Sequence, residues 1–188
     1  MKKFLVILLA VVASATATAG PVQCKYGQQF DEQQWYTIRS AYISGWLVDM
    51  KWSLAAIAIQ ESSAGKKLIN NRTKDYGVFQ SNIKTAMKRL QRWERAGRDF
   101  GMYDVSDPEH VKILLLNDSD IATSLAIEEL TFWKAVRNND WKQIWASYNG
   151  GYYMGKDWQK YSENYSNNIT KIIRKLKTCE ADLNEGLY

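Results

Sequence analysis

The stretch AIAIQES, residues 56 to 62, runs four residues suited to a buried helix, Ala56 to Ile59, into Gln60, a carboxylate at Glu61 and a hydroxyl at Ser62. Glu61 stands at i+7 from Leu54, i+4 from Ile57 and i+3 from Ala58, and residues at those spacings share one helix face. The stripe predicts that Glu61 faces the core side at the last turn of a helix, with Gly65 as its C-terminal stop. A glutamate in an apolar setting loses hydration when ionised, so its pKa rises. A carboxyl that stays protonated near neutral pH can give its proton to a glycosidic oxygen. The competing reading is a glutamate at the edge of the stripe whose carboxyl reaches out to water.

Three further patches set polar groups among apolar ones. Tyr76-Gly77-Val78-Phe79-Gln80-Ser81 places an amide after two apolar residues, with a glycine that lets backbone approach a ligand. Trp145-Ala146-Ser147-Tyr148-Asn149-Gly150-Gly151 ends a helical run with a phenol, an amide and two glycines. Tyr161 and Tyr165 lie on an otherwise apolar face of a last helix. Asp75 is the one acid between Glu61 and Gln80, and the spacing leaves open whether it reaches the same cleft. The lone His110 and two distant cysteines, Cys24 and Cys179, cannot make a Cys/His metal cluster, and no metal or organic cofactor is implied.

The elements that must position these groups read as helices. Only two prolines occur, and strand-like alternation is scarce. Helices are expected over 32–44, interrupted by Gly45, and over 50–63. An irregular loop, with a small hairpin, spans 68–76. A basic helix follows over 81–95. Ser106-Asp107-Pro108-Glu109 has the spacing of a capping box that starts a helix to Leu116. Asp118 to Asp120 caps another helix, with Ile121, Leu125, Ala126, Leu130 and Trp133 on its buried face. A short helix runs over 141–148. The last starts at Lys156 with Tyr161, Tyr165, Ile169, Ile172 and Leu176 on one side. The fold class is mainly α, in one domain.

Lys2 and Lys3, the apolar run Phe4 to Ala13 and the small residues ending in Ala17-Thr18-Ala19 have the pattern of a secretory signal peptide over residues 1–19; Ala15 and Ala17 also sit at plausible cleavage sites. Residues 20–188 are then the working domain, and the protein is expected to be exported, to a bacterial periplasm or the cell exterior. The chain of 188 residues carries +5. Without the leader, 23 basic and 20 acidic residues leave +3, which suits a polyanionic wall or membrane surface and is no nucleic-acid signature by itself. In an oxidising compartment Cys24–Cys179 is the one intramolecular disulfide available. Eight Trp and eleven Tyr either fill the core or line a groove for sugars; composition does not choose.

Glu61-Ser62-Ser63, then Gly77-x-x-Gln80, then Ser147-Tyr148-Asn149-Gly150-Gly151, resembles the E-S, G-L-M-Q and A-Y-N-x-G motifs of lytic transglycosylases of the soluble-transglycosylase type, relatives of goose-type lysozyme. The resemblance takes in Ala55 to Gln60 and the helix from Asp120 to Leu130, and covers about Trp46 to Ile173. Val78-Phe79, Ser124 and Ser147 depart from the usual residues, and the basic stretch from Ile83 to Asp104 is longer than the family pattern. The resemblance implies a lysozyme-like helical domain that acts on peptidoglycan glycan strands. It implies that Glu61 is the single catalytic acid and that Ser62 supports it. Gln80 and Asn149 would contact the sugar or its N-acetyl group, Tyr148 would lie close to the glutamate and help hold it, and Tyr165 would line the groove.

With one carboxylate, the consistent reaction is intramolecular transglycosylation that leaves a 1,6-anhydro end. The rivals are a hydrolytic lysozyme of the same fold with Asp75 as helper, a non-catalytic wall-binding protein, and a nucleic-acid binder using Lys84, Lys88, Arg89, Arg92, Arg95 and Arg98. The small domain, expected to be monomeric, suits a wall-opening enzyme of a secretion, conjugation or pilus apparatus. Unchanged assembly of such machines after gene deletion would count against that role.

Overall fold

A computed structural model describes residues 22–152 and 156–185; the expected leader, residues 1–19, lies outside them. Helix α1 (Glu32–Trp46) opens on a capping box that the sequence reading missed. The Asp31 carboxylate accepts from the Gln34 N–H at 2.8 Å, while the Gln34 side chain accepts from the Asp31 N–H at 3.1 Å. Gly45 does not interrupt this helix as expected. It is buried within it, and a Cβ there would stand 2.7 Å from the Lys51 Cα. The missing side chain lets α2 (Lys51–Ser62) start against the end of α1, and the Met50 N–H closes the turn on the Gly45 carbonyl at 2.7 Å.

Past α2 the expected hairpin is a minimal three-stranded antiparallel sheet in the order β1 (Ile69–Asn70), β2 (Asp75–Tyr76), β3 (Ser81–Asn82). Ile69 pairs with Tyr76, and Asp75 with Asn82. Because Ser81 and Asn82 are spent in β3, α3 (Ile83–Arg95) starts two residues later than expected, and the Asn82 side chain caps it. Helix α4 (Pro108–Asn117) also corrects the expected capping box. Asp107 is the capping residue, accepting from the Glu109 N–H at 2.8 Å with Pro108 as first helical residue, while the Ser106 hydroxyl turns back to Asp104. Asp118 caps α5 (Ser119–Val136) as expected. Helix α6 (Trp141–Gly150) runs two residues beyond its expected end; α7 (Lys156–Lys177) and α8 (Glu180–Asn184) complete the order.

Apolar residues collect in two clusters. One joins α1, α2, α6, α7 and α8 through Ile38, Tyr42, Leu54, Ile57, Ile144, Ile169, Leu176 and Leu183, all without solvent exposure. The other lies under the sheet and among α3, α4 and α5, with Tyr76, Leu90, Val111, Leu115 and Leu125. Helix α5 serves both. Ile121 and Leu125, one turn apart, face the second cluster, and Ala122, Ala126, Leu130 and Trp133 face the first. This is a mainly α, lysozyme-like domain, and the space between its two clusters is where a cleft opens.

The Cys24–Cys179 disulfide is formed, across a sequence separation of 155. The Asp182 carboxylate adds to the same closure by accepting from the Gln23 and Cys24 N–H groups at 3.0 and 2.7 Å. Replacing both cysteines by serine is expected to lower unfolding stability by about 2–5 kcal/mol, the range for removal of a native disulfide; urea unfolding of the oxidised protein and the double variant measures it.

Candidate active site

A cleft of about 220 Å³ is lined by Glu61 from the end of α2, Asp75 from β2, Gln80 from the loop before β3, Arg89 from α3, Glu129 from α5, and Tyr148 and Asn149 from α6. Glu61 is on the core side of α2, only partly exposed. Burial pushes its carboxyl up to about 7, an effect opposed by the hydrogen bond from Tyr165 and reinforced by the charge of Asp75. The Tyr165 hydroxyl, from the middle of α7, donates to Glu61 Oε1. The phenols of Tyr148 and Tyr165 are pushed well above their ordinary value, first by burial and then by the negative charge of Glu61. Both therefore stay protonated and act as donors.

The chain turns sharply after Glu61. Ser63 and Ala64 take left-handed backbone angles, φ 53° and 55°, and Gly65 follows at φ 93°. The helix thus caps at Ser63, two residues before the expected glycine stop. The Ala64 N–H returns to the Ala58 carbonyl at 2.9 Å, and Gln34 of α1 donates to the Ser63 carbonyl at 2.8 Å. Ser62 does not face the cleft. It is fully buried, accepts from the Gly65 N–H at 2.9 Å and donates to the Ala58 carbonyl at 3.1 Å, so it holds the turn that follows Glu61.

The loop opposite is built to the same tolerance. A Cβ on Gly77, at φ 81°, would meet the Leu115 carbonyl oxygen at 2.2 Å. The close approach that the sequence reading assigned to a ligand is an approach to the chain's own α4. Gln80 has φ 46° and donates its side-chain amide to the Gly77 carbonyl at 2.9 Å and to the Lys67 carbonyl at 3.2 Å. Its amide nitrogen closes the loop, and among the described residues its Oε1 has no hydrogen-bond partner. Tyr148 lines the cleft near Glu61, but its hydroxyl donates to the Phe79 carbonyl at 3.1 Å. The hold on the carboxyl comes from Tyr165, the reverse of the expected division between the two tyrosines. Asn149 is exposed on the cleft rim. The Tyr161 side chain lies outside the described ones.

Asp75 reaches the cleft, settling the question that spacing left open; Asn82, its partner across the sheet, donates to it at 2.9 Å. Glu129 is not among the expected site residues, and Arg89 is expected only as one of the basic residues of the nucleic-acid rival. Glu129 falls at i+4 from Leu125 on α5, a legible signal, but its pairing with Arg89 of α3 spans forty residues. Arg89 bonds to Glu129, to Glu128 at 3.2 Å and to the Leu125 carbonyl at 3.2 Å, and Arg92 pairs with Glu128. Arg98 lies over the Trp93 ring at 4.8 Å. Three cations of the basic stretch are thus engaged within the domain, and the stretch is in part a cross-link between α3 and α5 rather than an open face for nucleic acid. Among the described residues no group of three or more His, Cys, Asp or Glu side chains is placed to hold a metal, and no helix is long and apolar enough to cross a membrane.

Comparison with known proteins gives one finding. The family model described as Transglycosylase SLT domain matches residues 48–171, more than half of the chain. That stretch holds every candidate residue named above; Cys24 and Cys179 fall outside it. No curated protein and no solved structure matches.

The raised pKa of Glu61 has a consequence for stability. The folded protein binds the Glu61 proton more tightly than the unfolded chain does, so this group's contribution is complete below about pH 4.5 and is lost as pH rises through about 7. Glu61→Gln removes the charged form, and at pH 8 it is expected to be more stable than the parent by up to ~3 kcal/mol, with the difference gone near pH 4. Thermal unfolding of both proteins at the two pH values checks it.

Proposed function

The chain belongs to the transglycosylase SLT family, whose members are lytic transglycosylases acting on peptidoglycan, and from that premise we propose that Glu61 cleaves the bond between N-acetylmuramic acid and N-acetylglucosamine as acid and then as base. The observation that carries the reading is the Glu61 carboxyl itself, raised to about 7 and held on one oxygen by Tyr165. Among the described residues its other oxygen has no hydrogen-bond partner, so the proton it bears is available to the cleft.

Glu61 protonates the glycosidic oxygen and the bond to C1 breaks. The acetamido oxygen of the same N-acetylmuramic residue stabilises the positive charge that develops at C1. The ionised Glu61 then takes the proton of the C6 hydroxyl, whose oxygen closes on C1 to give a 1,6-anhydro end. The glutamate ends protonated, ready for the next cycle, and water is neither consumed nor needed. Asn149 on the rim and the free Oε1 of Gln80 contact the sugar and its N-acetyl group. Tyr165 positions the acid, Tyr148 fixes the loop that presents Gln80, and Ser62 fixes the turn that presents Glu61. Residues 1–19 direct export, and the domain works as a monomer in the periplasm or outside the cell, opening the wall for a secretion, conjugation or pilus apparatus.

One observation favours a second reading. Asp75 lines the same cleft as Glu61 and acts on its charge, and a second carboxylate is what a hydrolase would use to activate water. Mass spectrometry of fragments released from purified peptidoglycan separates the two. Anhydro ends, lighter by one water and absent with Glu61→Gln, are the expected result; reducing ends would assign a lysozyme, and full turnover by Glu61→Gln would remove Glu61 from the reaction.

The pH profile gives an independent test. Activity should fall as pH rises through about 7, when the acid loses its proton. Asp75→Asn removes a charge that raises Glu61, so under the single-acid reading turnover persists and this limb moves to lower pH. Tyr165→Phe removes a bond that lowers Glu61, so the limb moves to higher pH. A loss of order a hundredfold or more in Asp75→Asn would instead mark Asp75 as the helper of a hydrolase.

A further inference from the structure

A second cavity, about 320 Å³, lies at the other end of the helices that build the cleft. Helix α2 enters it with Lys51 and Trp52 and leaves at Glu61; α6 enters it with Trp141 and Trp145 and leaves at Tyr148 and Asn149. At helical rise, Lys51 and Glu61 are ~15 Å apart along α2, and Trp141 and Tyr148 ~10 Å apart along α6. The cavity is therefore separate from the cleft yet rigidly spaced from it.

Its walls are unusual for a surface hollow. Three tryptophans line it, with Asp49, Lys51 and Lys177 among the polar groups. The rings are held in place. The Trp145 indole N–H donates to the buried Ser53 hydroxyl at 3.0 Å, Trp141 stacks at a tilt on Trp145 with centroids 5.8 Å apart, and Trp52 packs edge-on against Tyr42 at 5.0 Å. Lys51 is ion-paired with Glu180 at 3.1 Å. Lys177 stands 5.9 Å over the Trp52 ring and, among the described residues, has no carboxylate partner. Preset aromatic faces with polar groups of both signs suit a pyranose, which offers apolar C–H faces to the rings and hydroxyls to the rim. The cation left over on Lys177 suits a carboxylate on that sugar.

We propose that this cavity is a second glycan site, which takes a sugar of a peptidoglycan strand with its carboxylate substituent toward Lys177. The proposal rests on the peptidoglycan substrate stated above and adds to it an anchoring point outside the cleft. Binding there holds a strand, or its neighbour, at a fixed distance from Glu61 and raises the local concentration of glycan at the cleft. The gain appears on the insoluble polymer and is absent for fragments too short to reach both places.

Co-sedimentation with purified sacculi tests this in the Glu61→Gln background, where the polymer is not consumed. Trp141→Ala is expected to weaken binding about tenfold, and Trp141→Phe to retain most of it. Lys177→Gln, at an exposed position in the last turn of α7, is expected to weaken binding several-fold, with the melting temperature and circular dichroism of the variant as the control for folding. With Glu61 restored, both variants should raise KM on sacculi, keep kcat, and match the parent on short soluble glycan fragments. Unchanged sacculus affinity in both variants overturns the site. So does a loss seen only with Leu47→Asp, which would assign binding to the exposed turn beside the cavity. Turnover by Glu61→Gln would sink the reading of Glu61 and not the second site, whose sacculus affinity is then compared over a time too short for the polymer to be consumed.

Discussion

A carboxyl that keeps its proton at neutral pH must be denied water without being denied a partner. That requirement organises this molecule. Burial alone would raise Glu61 further, and the Tyr165 hydroxyl moderates it by favouring the charged form, while Asp75 pushes the other way. The group is thus poised near 7, where it can both give a proton and take one back. Each contribution comes from a different element, α2 for the carboxyl, α7 for the hydroxyl and β2 for the second charge. The packing of helices on one side and the three short strands on the other are what make those elements meet.

Meeting at such close quarters puts the strain in the connections. Ser63, Ala64, Lys74 and Gln80, none of them glycine, take left-handed backbone angles in the segments around the cleft. Each costs on the order of 1–2 kcal/mol for an ordinary residue. The cost is offset locally: the Ala64 N–H finds the Ala58 carbonyl, Gln34 reaches the Ser63 carbonyl, Gln80 closes on Gly77, and Tyr148 pins Phe79. Gly77 has no side chain to offer because the Leu115 carbonyl occupies the space. These residues shape the rim, and their hydrogen bonds point into the protein rather than toward a ligand.

Much of this was legible in the sequence, and the misses share a cause. The helices, the stripe of Leu54, Ile57 and Ala58, and the inward direction of Glu61 follow from spacing of 3.6 residues per turn, which local sequence records. The tyrosine that bonds Glu61 is 104 residues away, and nothing local marks it over Tyr148. The supporting role of Ser62 rests on the motif resemblance; adjacency on a helix turns a side chain some 100° away, and here into the core. The basic run of α3 looked like a free charged face because its glutamate partners lie on α5. Helix ends were misread where two capping residues competed, as Asp107 did with Ser106, or where a glycine was taken to be a stop at Gly45 and Gly65. Periodicity is a one-helix property; pairing between helices is not written in it.

The bond between Tyr165 and Glu61 also sets an order in time. A chain that emerges N-terminus first presents α2 long before α7 exists. Until α7 docks, Glu61 has neither lost its water nor gained the Tyr165 hydroxyl, and its carboxyl titrates in the ordinary range for glutamate, ionised at neutral pH. On the proposed reading of Glu61, the nascent or partly folded chain carries no general acid. The carboxyl acquires its raised pKa only when the C-terminal half supplies α7, so on that reading the acid is silent while the chain is being made.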